Sequence, residues 1–153
     1  MDKKQIQAQL RHSLEFKQLW TYFIVTAVIL TLFALFTVLK NSDAGWGIVA
    51  AIYGLLLAPY LIFCIIRTIN MFRRPEDYFL CRTVLRQPHG GLIRDTIYFT
   101  AMVEDPDGGR KYGVDTHAIF FARGICQPLM ETYANATVTL AVNRETGMVV
   151  VIG

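Results

Sequence analysis

The chain has 153 residues, of which 54% are hydrophobic and only 18% are charged, with a formal net charge of +3. Soluble domains average about 45–50% apolar and about 25% charged residues, so this composition argues against a disordered, collagen-like or purely soluble protein. The three cysteines are too few, and odd in number, for a disulfide-based fold.

Residues 1–18 contain many strong helix formers and neither Gly nor Pro, which predicts a helical segment. Ile6, Leu10 and Leu14 form a narrow apolar stripe with a four-residue spacing, and basic residues lie beside it. The pattern fits two arrangements equally, a helix on the anionic surface of a membrane and a solvated helical extension.

Two uncharged stretches follow, 21 residues at 19–39 and 23 residues at 44–66. At a rise of about 1.5 Å per residue, each is longer than the roughly 30 Å hydrocarbon core of a bilayer. Only residues 40–43 separate them, so the sequence predicts an antiparallel transmembrane hairpin whose second helix extends as far as residue 72. The first stretch is longer than the roughly 7–15 apolar residues of a signal peptide, which favours a retained anchor.

Lysines and arginines predict the orientation of the hairpin. Four precede the first span and five follow the second by residue 86, whereas the connecting loop holds Lys40 alone. The positive-inside rule then puts both termini in the cytoplasm, and the expected location is a bacterial plasma membrane. The basic residues expected at the membrane surface are Lys17, Arg67, Arg73 and Arg74.

Small residues recur every four positions along the second span. Ala50, Gly54 and Ala58 form a seam of small side chains, which allows another helix backbone to approach closely. The short loop favours the first span as the partner, through Ala27, Thr31 and Ala34. Another copy of the chain or another protein is the alternative.

Pro59 lies in the middle of the second span and lacks the N–H group of a regular helical hydrogen bond. It predicts a kink near Ala58. Neither span contains Asp, Glu, Lys, Arg or His, so a single chain lacks the groups with which an ion or proton pathway is built.

After Pro75 the pattern changes to alternating apolar and polar residues with turn signals. Five strands are predicted, at residues 78–86, 92–104, 110–121, 136–143 and 148–152. A short helix from Pro128 to Asn135 separates the third strand from the fourth. This order is typical of an OB-fold barrel, and an SH3-like barrel or an open β-meander would give similar signals.

The predicted fold class is therefore membrane α + β. A helical segment at 1–18 leads into a transmembrane hairpin at 19–39 and 44–66, followed by a small five-stranded β-barrel at 76–153. The barrel is expected on the cytoplasmic side, in line with the predicted orientation of the hairpin.

Possible chemistry in the β-domain centres on a few polar residues. Cys81, His89, His117 and Cys126 lack the close-paired spacing of a zinc site, so neither a metal nor another cofactor is expected. Cys126 as a nucleophile, with His117 as its base and Asp115 as the orienting group, is one catalytic hypothesis. A solvated histidine and a loop cysteine explain the same residues more simply, so no catalytic residue is expected.

Nucleic-acid binding needs a basic groove with stacking aromatic residues. Arg94, Tyr98, Arg110, Lys111 and Tyr112 are the residues that would supply one. Residues 76–153 contain seven basic and nine acidic side chains, a net charge of −2, so a nucleic-acid partner is not expected.

The function that the sequence favours is that of a non-enzymatic integral membrane protein presenting a small cytoplasmic β-barrel as an interaction or assembly module. Its expected partners are the lipid bilayer and either another protein or further copies of the chain. One alternative is an accessory subunit of a larger membrane complex that packs through the second span. A thiol enzyme at the membrane surface is a third hypothesis.

Overall fold

The computed structural model describes residues 3–40, 42–90, 96–116, 119–120 and 131–152. The chain divides into two compact units. The first unit joins Met1–Gln18 with Met71–Gly153, and the second is Leu19–Asn70.

The described helices begin with α1 at Lys3–Arg11 and α2 at Leu14–Lys40. Helix α3 at Ser42–Ala51 continues through a π-helical turn at Ile52–Leu57 into α4 at Ala58–Phe72. Two helices, Leu14–Lys40 and Gly45–Phe72, are long and apolar enough to cross a membrane. Length and composition alone support that statement.

The two long helices of the second unit meet through a small apolar cluster. Ala34, Ile52 and Leu57 are buried there. The Thr31 Oγ1 and Tyr53 Oη atoms lie 2.8 Å apart and form a hydrogen bond. Near the start of α3, a Cβ atom on Gly45 would lie 2.7 Å from the Cα atom of Val38 in α2. The close approach of α2 and α3 at this point therefore requires glycine.

The π-helical turn precedes Pro59 directly. The Ala58 N–H donates to the carbonyl of Tyr53, five residues earlier. Because Pro59 has no N–H group and its ring clashes with the carbonyl four residues before it, a wider turn at this point relieves the conflict. The kink expected near Ala58 stays a prediction.

The described residues of the first unit form a six-stranded antiparallel half-barrel. Its strands are β1 Tyr78–Gly90, β2 Thr96–Glu104, β3 Lys111–Asp115, β4 Ile119–Phe120, β5 Thr137–Asn143 and β6 Val149–Val151. The strand order is β3-β2-β1-β5-β6, with β4 also paired to β2.

The predicted strand at 110–121 is divided into β3 and β4. Asp115 pairs with Thr100 and Ile119 pairs with Ile97, so this side has one more residue than the opposite segment of β2. Thr116 ends the regular ladder of β3, because its N–H donates to the carbonyl of Phe99 while its side-chain Oγ1 accepts the Phe99 N–H at 3.0 Å. The expectation of five strands is corrected accordingly.

Strand β1 is also longer than predicted. Residues 87–91 are expected to separate the first two predicted strands. The structure continues β1 as far as Gly90, with Pro88 opposite Phe99, after a bulge between Leu85 and Pro88. The pairing of β1 with β5 ends at Val84. Pro88 lies beyond this point, so the absence of its N–H group removes no hydrogen bond between these two strands.

Several predictions concern residues beyond the described ranges. They include Arg94, His117, Cys126 and most of the predicted helix at 128–135. Within the described part of that helix, residues 131–133 are helical and Asn135 has φ +60°, as a helix C-cap requires.

The core of the first unit lies on the inner face of the half-barrel. Alternate residues of β1, β2, β5 and β6 point inward and are buried, as the two-residue period of a strand requires. They are Phe79, Leu85, Phe99, Ala101, Val103, Val138, Leu140, Val142, Val149 and Val151.

Candidate functional site: the exposed outer face of the half-barrel

The outer face of the sheet has a covered half and an exposed half. Along β1, the outward positions Tyr78 and Leu80 belong to a buried cluster. The next outward residues, Arg82, Val84 and Arg86, are exposed. One strand therefore runs from a covered surface to an open one.

Helix α1 and the chain near Met71 cover the first half. Ile6 is 4% exposed and Leu10 is fully buried, in a cluster that also contains Met71, Tyr78 and Val150. The stripe expected to face lipid or solvent packs on the sheet instead, an arrangement that neither sequence alternative included. Two or three apolar residues on a helix do not specify which surface they cover.

Ser13 separates α1 from α2 and caps the second helix. Its Oγ atom accepts the backbone N–H of Phe16 at 3.3 Å and donates to the carbonyl of Leu10 at 2.7 Å. A serine three residues before the bonded N–H is the usual N-cap arrangement. Residues 1–18 are therefore two helical segments rather than one.

Glu15 is a buried carboxylate that sequence analysis did not single out. It is 8% exposed, and its two oxygens accept the backbone N–H of Val151 at 2.8 and 3.1 Å. Val151 lies in β6, the last strand of the sheet order. A side chain near the start of α2 thus satisfies a backbone donor of an edge strand, which is otherwise a group open to pairing with another chain.

Tyr78 lies in the same covered region. Its hydroxyl donates to the sulfur of Met148 at 3.2 Å. Burial, together with the nearby charge of Glu15, raises the pKa of Tyr78 to about 12, and a hydrogen bond with Asn143 acts in the opposite direction. The phenol is therefore a neutral donor at physiological pH.

The exposed half has an apolar centre. Val84 is 48% exposed and Met102 is 41% exposed. Leu85 pairs with Ala101, so continuation of this register puts Val84 beside Met102, whose partner on β3 is Gly113. A Cβ atom on Gly113 would lie 3.7 Å from the Met102 sulfur, so the missing side chain leaves that flank of Met102 open.

Polar groups surround this centre. Glu104 pairs with Lys111 at 3.4 Å. The Asp115 Oδ1 atom accepts the Thr100 hydroxyl at 2.8 Å and lies 3.8 Å from the Nε2 atom of His89. An apolar centre with a polar rim is the usual composition of a protein–protein contact surface.

The expected small-residue seam lies elsewhere, in the second unit. Ala50, Gly54 and Ala58 are all exposed, and a Cβ atom on Gly54 would have no neighbour within 4 Å. The buried contact with the first helix uses Ile52 and Leu57 instead. The expectation that this seam packs on the first span is therefore wrong, and packing on another molecule stays a prediction.

The basic residues expected at the membrane surface differ in their surroundings. Lys17 and Arg73 are exposed, and Arg67 is half-buried. Arg74 forms an ion pair with Glu145. Lys17 belongs to α2 and Arg67 to α4, whereas Arg73 and Arg74 follow α4. The contact of these four residues with lipid stays a prediction.

In the part of the chain that the structure describes, the residues considered for other chemistry are divided between the two faces of the sheet. Cys81 packs against the inner core, while His89 lies on the outer face. Tyr112 also packs inward, whereas Tyr98 and Lys111 belong to the outer face. The described residues contain no group of three potential metal ligands.

Comparison of the chain with protein-family models, with curated proteins and with solved structures finds no match. Its function therefore has to be inferred from its own geometry.

Proposed function

We propose that the chain is a non-enzymatic integral membrane protein that presents an OB-like half-barrel in the cytoplasm as an interaction module for another protein. The two apolar helices act as its anchor, with the connecting loop on the opposite side of the membrane. The excess of Lys and Arg outside the loop supports this orientation.

The membrane location is supported by the surface of the second unit. Large apolar side chains there are more than half exposed, which is costly in water and favourable in hydrocarbon. They include Ile24, Ile29, Leu32, Phe36, Leu55, Leu56 and Ile66.

The OB-like assignment is supported by strand order. If β3 and β4 are counted as one interrupted strand, the order is third, second, first, fourth, fifth. This is the sequence of neighbours in an OB barrel opened between its third and fifth strands. In that fold the face of the second and third strands is a common binding surface.

The observation that most strongly supports an interaction module is the divided outer face. Ile6 and Leu10 bury one half of it with the chain's own helix. Val84 and Met102 on the other half are left exposed next to a polar rim. If this surface served only the stability of the domain, burial of the exposed half would add further hydrophobic stabilisation.

Photo-crosslinking in native membranes tests this function. A photoreactive amino acid replaces Met102 on the exposed face, and the matched control replaces Ala8, an exposed residue of α1 away from this face. We expect a discrete protein adduct from position 102 and none from position 8. Adducts of equal yield from both positions, or none from position 102, would contradict the proposal.

An accessory subunit that packs through its second helix is the second candidate, favoured by the exposed seam. Gly54→Leu would fill the seam, whereas Gly54→Ala keeps it small and serves as the matched control. We expect the leucine variant alone to lose association with its complex in blue-native electrophoresis. Unchanged migration of both variants would remove this candidate.

A further inference from the structure

We infer that the partner of the exposed outer face is an extended acidic peptide segment. Two carboxylates of this peptide would bind Arg82 and Arg86. One apolar side chain between those carboxylates would contact Val84 and Met102. This inference rests on the proposed function and adds the chemistry of the partner to it.

The charges of the face favour an acidic partner. Among the described residues of the face, the Glu104 carboxylate forms an ion pair with Lys111 and lies opposite Arg82 when the register of β1 and β2 is continued, and the Asp115 carboxylate accepts a hydrogen bond from Thr100. Arg82 and Arg86 are exposed, and within the described ranges neither forms an ion pair. The three cations Arg82, Arg86 and Lys111 outnumber the two carboxylates, so the described part of this surface has a net charge of +1. Guanidinium groups bind carboxylates with paired hydrogen bonds, which suits them to this role.

The spacing of the arginines fits an extended chain. Arg82 and Arg86 are four residues apart in one strand, which corresponds to about 13 Å in a regular strand, and Arg86 lies where the bulge of β1 begins. A peptide in the same conformation repeats its outward side chains with the same period. Acidic residues at its first and fifth positions would reach the two arginines, and the third residue would lie over Val84.

The apolar centre suits a variable side chain. Met102 has an unbranched and polarizable side chain that adapts to the shape of a neighbour. Gly113 leaves space on one flank of Met102. We therefore expect a leucine-, isoleucine- or phenylalanine-sized residue at the centre of the peptide rather than one fixed type.

A second copy of this chain does not supply such a segment. Its twelve acidic residues include no two that are four positions apart. The matching peptide therefore belongs to a different protein.

Selection from a displayed library of random eleven-residue peptides tests the inference with the full chain in nanodiscs of zwitterionic lipid. We expect enriched peptides to contain two acidic residues four apart with an apolar residue midway. Their dissociation constant should rise about five- to tenfold in R82Q/R86Q, since each exposed ion pair contributes up to about 1 kcal/mol. Raising the salt concentration should reduce this difference.

The matched control is R11Q/R110Q, which removes the same charge from exposed positions outside the face. Enriched peptides without the acidic pattern, or equal weakening by both double variants, would overturn the inference. If position 102 still crosslinks to a protein in that case, the proposed function stands and only the acidic partner is wrong. Crosslinking of position 102 to lipid would overturn both.

Discussion

Removal of the Glu15 carboxylate tests how the N-terminal segment is joined to the sheet. Glu15 belongs to the first turn of α2, and its oxygens accept the N–H of Val151 in β6, 136 residues along the chain. Glu15→Ala leaves this edge donor without its acceptor. Glu15→Gln keeps an oxygen in place but removes the negative charge.

The size of the effect follows from the burial of the bond. A hydrogen bond to a charged group contributes about 1.5–3 kcal/mol, and relief of the buried charge's desolvation offsets part of that loss. We expect Glu15→Ala to destabilise the edge strand by about 1–2 kcal/mol. This corresponds to a fall of roughly 5- to 30-fold in the protection of the Val151 amide. Glu15→Gln should lower the protection of the Val151 amide by less than Glu15→Ala does.

Hydrogen exchange of the C-terminal peptide, followed by mass spectrometry, measures this protection directly. Glu104→Ala is the control, because Glu104 is exposed and forms its ion pair with Lys111 on the surface. We expect the Val151 amide to exchange at the same rate in Glu104→Ala as in the original chain. Equal exchange in Glu15→Ala and Glu104→Ala would refute the view that Glu15 holds the edge strand.

Three further predictions concern the same unit. Leu10→Ala removes a fully buried side chain and should lower the free energy of unfolding, measured by denaturant titration, by about 2–5 kcal/mol. Gln5→Ala, at an exposed position, should change this free energy little. Asn143→Ala removes the acceptor of the Glu145 and Thr146 N–H groups and should cost about 1–2 kcal/mol in the same assay; an unchanged midpoint would contradict this. Tyr78 keeps its proton in the folded chain up to a pKa of about 12 rather than the usual 10.0, so stability is lost as pH rises between these values. The ultraviolet titration difference between the original chain and Tyr78→Phe should have its midpoint near 12, and a midpoint near 10 would be inconsistent with burial.

The sequence predicted the features that depend on local pattern. Long uncharged runs predicted two apolar helices, and two-residue alternation predicted the strands after Pro75, because each element shows its own period. Asn135 ends the helix that the sequence predicts, and it has the positive φ that is common just after a helix. Each of these patterns lies within one short segment of the sequence, so it can be recognised without knowing which segments meet in the fold.

Features that depend on distant partners could not be predicted in the same way. The pairing of Glu15 with Val151 and the burial of Leu10 require knowledge of which surfaces meet. The four-residue spacing indicates the seam at Gly54, and the short loop favours the first span as its partner. A four-residue spacing marks one face only in a regular α-helix, and the π-helical turn at Ile52–Leu57 interrupts that repeat.

Topology of the hairpin is the most direct test of a membrane-anchored cytoplasmic half-barrel. Single cysteines at Lys40, beside the loop, and at Asp107, in the turn before β3, are introduced after replacement of Cys64, Cys81 and Cys126. An impermeant maleimide added to intact cells should label position 40, whereas position 107 should react only after permeabilisation. Labelling of position 107 in intact cells would contradict the cytoplasmic location of the half-barrel and the partner inferred for it.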